Sequence, residues 1–337
     1  MDGEWQRRHC NIRADVSGLD ETQLALFYWE NPNWGKEATM YTVDIERMVE
    51  MVKRKVAYCQ GNLLGYLLLS AMAGIYLGFG ICLIFSVGAP FWADGSAGFK
   101  LVMGASFGIA LTLVIFAGSE LFTGNNMVGV IGAMSRAITV KQMGQIFFYS
   151  FVGNLLGSLG VAWLIAQAGV VGQAPQSDLL LKVAAGKMNG PAWELLVRGI
   201  LCNWLVCLAV WMAARTTNDA AKILLIFWCL FAFVGSGFEH SIANQSILGL
   251  ALFLPHGAEV TWMGLFWNQL WVVLGNVVGG GAFVGGAYWL CSPVRAKASV
   301  LENIADAIST ETPRIAAASA KGDVKVNPLL IGADRRV

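Results

Sequence analysis

Charge is scarce in this chain. Only 13% of its 337 residues are Asp, Glu, Lys or Arg, and 23 basic side chains face 22 acidic ones. A near-neutral balance offers no basic surface for nucleic acid, so no nucleic-acid partner is expected. Histidine is scarcer still, with His9, His240 and His256 alone. The seven cysteines are scattered and no Cys-x-x-Cys occurs. Cys82, Cys202, Cys207 and Cys229 sit inside apolar runs, where cysteine packs as a small hydrophobe. No metal or other cofactor is therefore expected. Residues 1–30 lack the basic-then-apolar pattern of a secretory signal, which leaves insertion to the first membrane helix.

What the chain has instead is apolar sequence. Hydrophobic residues make up 56% of it and the mean hydropathy is +0.58, a membrane composition. A span needs about 20 apolar residues. Six units of that kind follow one another: Leu64–Val87, Leu101–Phe116, Ile146–Ala168, Leu195–Ala213, Ile223–Leu254 and Trp262–Leu290. The second is followed by a polar, glycine-rich break over Gly118–Asn126 and a short apolar continuation, Met127–Met134. Ahead of the spans, Ile45, Met48, Val49, Val52 and Val56 share one helical face, and Lys53, Arg54 and Lys55 close the pattern. That reads as an amphipathic helix on the membrane surface. The expected organisation is an N-terminal extension (1–39, flexible), a cytoplasmic amphipathic helix (40–60), a transmembrane domain (61–293) and a flexible cytoplasmic tail (294–337). Met40 opens a different kind of sequence and is a candidate start. Lys53–Lys55, Arg136, Lys141, Arg215, Lys222, Arg295 and Lys297 fall at the two ends and in alternate loops, which predicts both termini in the cytoplasm.

One stretch stands apart. Gly235–Asn244 reads Gly-Ser-Gly-Phe-Glu-His-Ser-Ile-Ala-Asn and interrupts the fifth apolar unit. It sets Glu239 and His240 at bilayer depth, where polar side chains are costly and line a wet path or are buried in protein. Gly235 and Gly237 let the backbone leave the helix. Irregular backbone at that depth must be satisfied by protein or a cavity. Glu120 and Glu239 are accordingly expected to accept backbone N–H bonds within the breaks. The second span breaks at Gly118-Ser119, the fifth at Gly235-Ser236. The third span carries Gly153-Asn154-Leu155-Leu156-Gly157, the sixth Gly275-Asn276-Val277-Val278-Gly279. Three spans per half force the halves into opposite orientations, so the pattern predicts an all-α membrane protein built as an inverted 3+3 repeat with broken second and fifth helices. Two half-helix N-termini would then converge, presenting partial positive charge and unpaired N–H donors to an anion.

Val114–Thr123, Gly199–Ala209 (Gly-Ile-Leu-Cys-Asn-Trp-Leu-Val-Cys-Leu-Ala) and Gly237–Asn244 resemble the signatures of the formate/nitrite transporter family, closest to its nitrite channel branch. The resemblance covers about Met40 to Pro293, and residues 1–39 have no counterpart in it. It implies an aquaporin-like fold, although no Asn-Pro-Ala occurs at either break. It also implies a homopentamer in the cell (inner) membrane, surrounded by lipid, with one path per protomer. Nitrite is the expected substrate, with formate or hydrosulfide as alternatives, and passage is passive or proton-coupled. Carried over residue by residue, His240 matches a central pore histidine and Thr123 the threonine facing it. Lys187 and Asn203 match polar residues near the outer part of the path. Phe107, Leu111, Leu121, Phe122, Val206 and Phe233 match apolar constriction residues, and Glu120 and Glu239 match acids within the two breaks. A membrane enzyme using Glu239 and His240 as acid and base would need a nucleophile or metal set that the sequence lacks. A receptor or structural subunit with docking arms is a further alternative, and flux without a partner separates it from a channel.

Overall fold

A computed structural model describes residues 41–292. The expected extension (1–39) and tail (294–337), with the orientation residues Arg295 and Lys297, lie outside the described residues. Among those that are described, every regular element is helical. Six helical units are long and apolar enough to cross a membrane: Leu63–Ala93, Phe99–Gly118, Val140–Ala168, Ala192–Ala214, Asp219–Ser236 and Trp262–Cys291.

In chain order, α1 is Thr42–Gly61 and α2 is Leu63–Ala93. The second span is built of α3 (Phe99–Ser106), α4 (Gly108–Leu113) and a π-helical turn, Val114–Gly118. Beyond its break lies α5 (Phe122–Met134), then α6 (Val140–Ala168), α7 (Gln176–Met188) and α8 (Ala192–Ala214). The fifth span is split into α9 (Asp219–Ser236) and α10 (Ser241–Phe253). The last comprises α11 (Trp262–Val278), a π segment over Gly279–Gly286 and α12 (Ala287–Cys291).

Local chemistry sets these boundaries. Lys53–Lys55 do not end α1, because charged residues are good helix formers on an exposed face. The helix runs on to Gly61, where the Asn62 side chain accepts from the Gly65 N–H (2.9 Å) and starts α2. Thr139 and Gln142 form a reciprocal capping box at the head of α6. Asn218 caps α9 and Thr261 caps α11. Gly118 (φ 80°) and Gly237 (φ 75°) take the left-handed conformation that ends each first half-span. Gly235 stays inside α9, so the second break needs only the one glycine.

Glycine also fixes how the spans pack. A methyl group on Gly157 of α6 would overlap the Ala71 carbonyl of α2, and one on Gly275 or Gly279 would overlap the Leu196 or Ile200 carbonyl of α8. The paired spans α2–α6 and α8–α11 are thus built alike, backbone against backbone. The sequence pattern does not foretell the π segment at Gly279–Gly286, where five glycines bring the backbone close against α5 and α8. Large apolar side chains such as Leu68, Phe148, Trp228 and Phe266 face outward, as lipid contact requires.

Candidate functional site

The two breaks are the same structure made twice. In the first, the Glu120 N–H donates to the Leu69 carbonyl (3.2 Å) and the Phe122 N–H to Asn154 Oδ1 (2.9 Å). Asn154 Nδ2 returns to the carbonyls of Glu120 (2.8 Å) and Ser70 (2.7 Å). In the second, the Glu239 N–H donates to the Arg198 carbonyl (3.2 Å) and the Ser241 N–H to Asn276 Oδ1 (2.9 Å). Asn276 Nδ2 returns to the carbonyls of Glu239 (3.0 Å) and Gly199 (2.8 Å). In each half one buried amide and one backbone carbonyl from neighbouring spans therefore satisfy the irregular backbone, as membrane depth demands.

This corrects the part expected of the two acids. Among the described residues their carboxylates take side-chain donors and no backbone N–H. Glu120 accepts from Lys55 Nζ (2.6 Å) and Asn125 Nδ2 (3.5 Å), and Glu239 from Lys187 Nζ (2.8 Å) and Asn244 Nδ2 (2.5 Å). Each acid is a counter-ion to one lysine on a helix outside its own span: the half-buried Glu120 to Lys55 on α1, the buried Glu239 to Lys187 on α7. The unpaired donors expected at the half-helix N-termini do not include three of the N–H groups there. The Phe122 and Ser241 N–H groups are held by the asparagines, and the Ala243 N–H donates to His240 Nδ1 (3.2 Å).

His240 is thus the N-cap of α10. Its other nitrogen, Nε2, lies 3.2 Å from Thr123 Oγ1, in the first turn of α5. The two half-helices meet through this contact. With Nδ1 accepting from backbone, a neutral ring carries its hydrogen on Nε2 and gives it to the Thr123 hydroxyl. Thr123 is fully buried and His240 is 4% exposed. The imidazole lies against Phe233 (centroids 5.8 Å, planes 26° apart), and Phe233 meets Phe107 edge-on at 5.8 Å.

A series of cavities runs past this ring. A vestibule of about 1020 Å³, lined by Arg54, Lys55, Ser119, Glu120 and Lys222 among others, narrows at Leu111 and Leu121. Those two leucines also wall a constriction of about 10 Å³, completed by Leu77, Phe107, Ala110, Val206, Leu230, Phe233 and His240. On its far side Phe107, Phe233 and His240 border a cavity of about 170 Å³ that reaches Lys100 and Lys187. Lys187 and Gly237 are shared in turn with an opening of about 310 Å³ lined by Glu194, Arg198 and Glu239. Shared walls order the four into one path.

Phe107, Leu111, Leu121, Val206, Phe233 and His240 are brought together at the constriction. Phe122 is not among them: it turns away and packs edge-on against Phe147 and Phe151. Asn203 is not at the path either. Fully buried, it donates to the carbonyls of Thr123 (3.1 Å) and Asn276 (2.7 Å) and to Asn126 Oδ1 (3.0 Å), tying α8 to α5 and α11. Sequence reasoning missed Lys55, Asn154, Asn276, Leu77, Ala110 and Leu230. The two asparagines had a signal: both sit in the repeated Gly-Asn-x-x-Gly. Among the described residues no grouping of His, Cys, Asp and Glu could hold a metal ion.

Comparison with known proteins gives a consistent answer. The sequence model of a family described as formate/nitrite transporter matches residues 42–290. The chain is 45% identical over 254 residues to the nitrite transporter NirC of Escherichia coli (strain K12), covering 75% of this chain and 93% of that protein. It is 31% identical over 246 residues to the formate channel BtFdhC of Bacillus thuringiensis, covering 73% and 93%. Among solved structures, an FNT family ion channel superposes with a TM-score of 0.71 at 44% identity over 75% of this chain and all of the other. A pentameric formate channel with formate bound gives 0.58 at 27% identity, over 67% and 96%. Six spans in two inverted halves, a break in the second and fifth, and a match across most of the chain make this protein a member of the formate/nitrite transporter family.

Proposed function

We propose that the protein is a multi-pass channel of the cell (inner) membrane for small monovalent anions, nitrite first. It works as a homopentamer with one path per protomer, both termini cytoplasmic, and is not an enzyme. The vestibule bordered by Lys55 and Glu120 then opens to the cytoplasm and the mouth at Lys187 faces out. Similarity to NirC supports nitrite, and similarity to a pentameric channel supports the assembly.

One observation carries the mechanism: His240 is the single titratable side chain lining a constriction that is otherwise apolar and has a volume of about 10 Å³. An apolar neck that narrow holds back a hydrated ion. Nitrite that takes up a proton becomes nitrous acid, which is neutral and crosses it. Lys187 and Lys55 draw the anion toward each mouth, and the paired Glu239 and Glu120 keep it from being trapped there. Thr123 orients the ring through Nε2. Adding a proton at Nδ1 displaces the Ala243 N–H, so the ring is arranged to pass a proton on rather than keep it. His240, with water beside it, relays the proton to the anion.

The experiment is nitrite uptake by the purified chain in proteoliposomes, with formate and hydrosulfide as competitors. Nitrite flux without any added partner, accelerated by an inward proton gradient, is expected. No flux of any of these anions would reject the reading. Faster formate than nitrite flux would move the substrate to the formate branch.

A further inference from the structure

The four cavities differ in chemistry, and the one between the constriction and Lys187 is out of character for an ion path. Its volume is about 170 Å³ and its walls are mostly apolar: Ile81, Ile84, Phe85, Met103 and Ile247 surround it. A cavity of about 150 Å³ with walls of this kind holds a benzene ring. Nitrite, with three heavy atoms, leaves most of such a space unfilled. The charged groups on the lining are Lys100 and Lys187, and no carboxylate lines it; Glu239, the partner of Lys187, lines the neighbouring opening instead. Lys187 is shared with Glu239, whereas Lys100 has no ion pair among the described residues, and an apolar pocket with such a cation at its edge is complementary to an anion that carries an apolar body. Below it the Phe107–Phe233 contact and the roughly 10 Å³ neck leave no room for a ring. The vestibule on the other side has about six times the volume and is lined by Glu50, Glu120 and Asp219 as well as by bases, so it has neither the fit nor the charge.

We propose that this cavity is a binding site for aryl monoanions, benzoate being the simplest, which seat with the ring among Ile81, Ile84 and Met103 and the charged group toward Lys100 and Lys187. They bind and do not pass. Such acids therefore block nitrite flux, and they do so from the outer face. The sidedness rests on the orientation and transport proposed above, whereas the binding does not.

Two measurements test it. Binding of radiolabelled benzoate is read on the purified full chain in detergent, without flux. Saturable binding of one benzoate per protomer is expected, displaced by benzenesulfonate but not by benzyl alcohol, which has the ring without the charge. Ile84→Trp and, separately, Met103→Phe fill the cavity and should each raise the half-saturating concentration at least tenfold. Block of nitrite flux is then read in right-side-out and inside-out membrane vesicles with benzenesulfonate, which stays charged and on its own side. Half-block is expected at a concentration at least tenfold lower from the outer face. Absence of saturable binding, unchanged binding in both filled variants, or equal block from both faces would overturn the proposal. A protein that binds benzoate yet passes no anion refutes the transport reading alone; one that passes nitrite and binds no benzoate refutes this site alone.

Discussion

Removing the side chain of Asn276 should unfold the second break, and the size of the effect follows from its bonds. Asn276→Ala leaves the Ser241 N–H and the Glu239 carbonyl, both at membrane depth, without the amide that pairs them. The third partner, the Gly199 carbonyl, lies mid-helix in α8 and keeps its helical bond. A buried backbone group left unsatisfied costs about 1–3 kcal/mol. Two of them cost about 2–6 kcal/mol, a large share of the roughly 5–15 kcal/mol that holds a domain folded. Asn154→Ala removes the matching bonds to Phe122 and Glu120 in the other half and should cost a similar amount. The control is Asn218→Ala, which deletes only the cap on Ala221 at a helix end and should cost about 0.5–2 kcal/mol. Equilibrium unfolding of the purified protein in mixed detergent micelles, titrated with a denaturing detergent, measures all three. If Asn276→Ala and Asn154→Ala cost no more than Asn218→Ala, the asparagines do not hold the breaks, and the irregular backbone draws its stability from some other source.

Glycine packing gives a second test within one helix. Gly157→Ala drives a methyl into the Ala71 carbonyl and should cost about 1–3 kcal/mol, while Gly160→Ala meets nothing within 4 Å and should be neutral or stabilise by up to about 1 kcal/mol; the reverse order in the same unfolding assay would refute the close α2–α6 approach. Lys187→Met strands the Glu239 carboxylate, whose side chain is 4% exposed, and should cost about 3–5 kcal/mol, most of it recovered when Glu239→Gln is added; a double variant as weak as the single one would count against the pairing. His240→Asn keeps a side chain able to cap α10 but removes the titratable ring. Nitrite should still pass in this variant, with the acceleration by an inward proton gradient lost; an unchanged pH response in proteoliposomes would take the relay away from His240.

Much of this architecture is legible from residues alone, for a physical reason. Spans are long apolar runs, and a polar pair such as Glu239-His240 in the middle of one is expensive enough to stand out. The breaks and the inverted halves follow; the residues of the apolar neck come only through the family resemblance, since an apolar residue in an apolar span carries no mark of its own. What stays hidden is which polar group satisfies which. Asn154 and Asn203 look alike in sequence, each an asparagine in the middle of an apolar span, yet both turn out to hold backbone, and neither lines the path. Glu120 and Glu239 look like backbone acceptors until the structure supplies Lys55 and Lys187 from helices distant in sequence. Phe122 follows Leu121 directly, but Leu121 is the extended N-cap and lines the constriction while Phe122, the first helical residue, packs on Phe147 and Phe151, a distinction that residue type does not carry.

The halves match in the bonds that hold their breaks, and one departure from that symmetry falls where function needs it. Glu120 corresponds to Glu239 and Asn125 to Asn244 by their matching bonds. In that register Leu121 corresponds to His240, and both line the constriction. Each stands at the N-cap of its half-helix, but only His240 supplies a side-chain cap. The duplicated fold thus gives one apolar wall and one imidazole at a single neck. Two leucines there would leave nothing to handle a proton, and two imidazoles would wet the neck. Leu121→His makes the second case. A polar ring in place of Leu121 should admit hydrated ions, because the barrier to them is the dryness of the neck and not its charge. Chloride, which does not cross as a neutral acid at neutral pH, should then leak through proteoliposomes carrying the variant and not through those carrying the original chain. Chloride exclusion retained in a folded, nitrite-conducting Leu121→His protein would show that the neck selects by something other than its apolar lining.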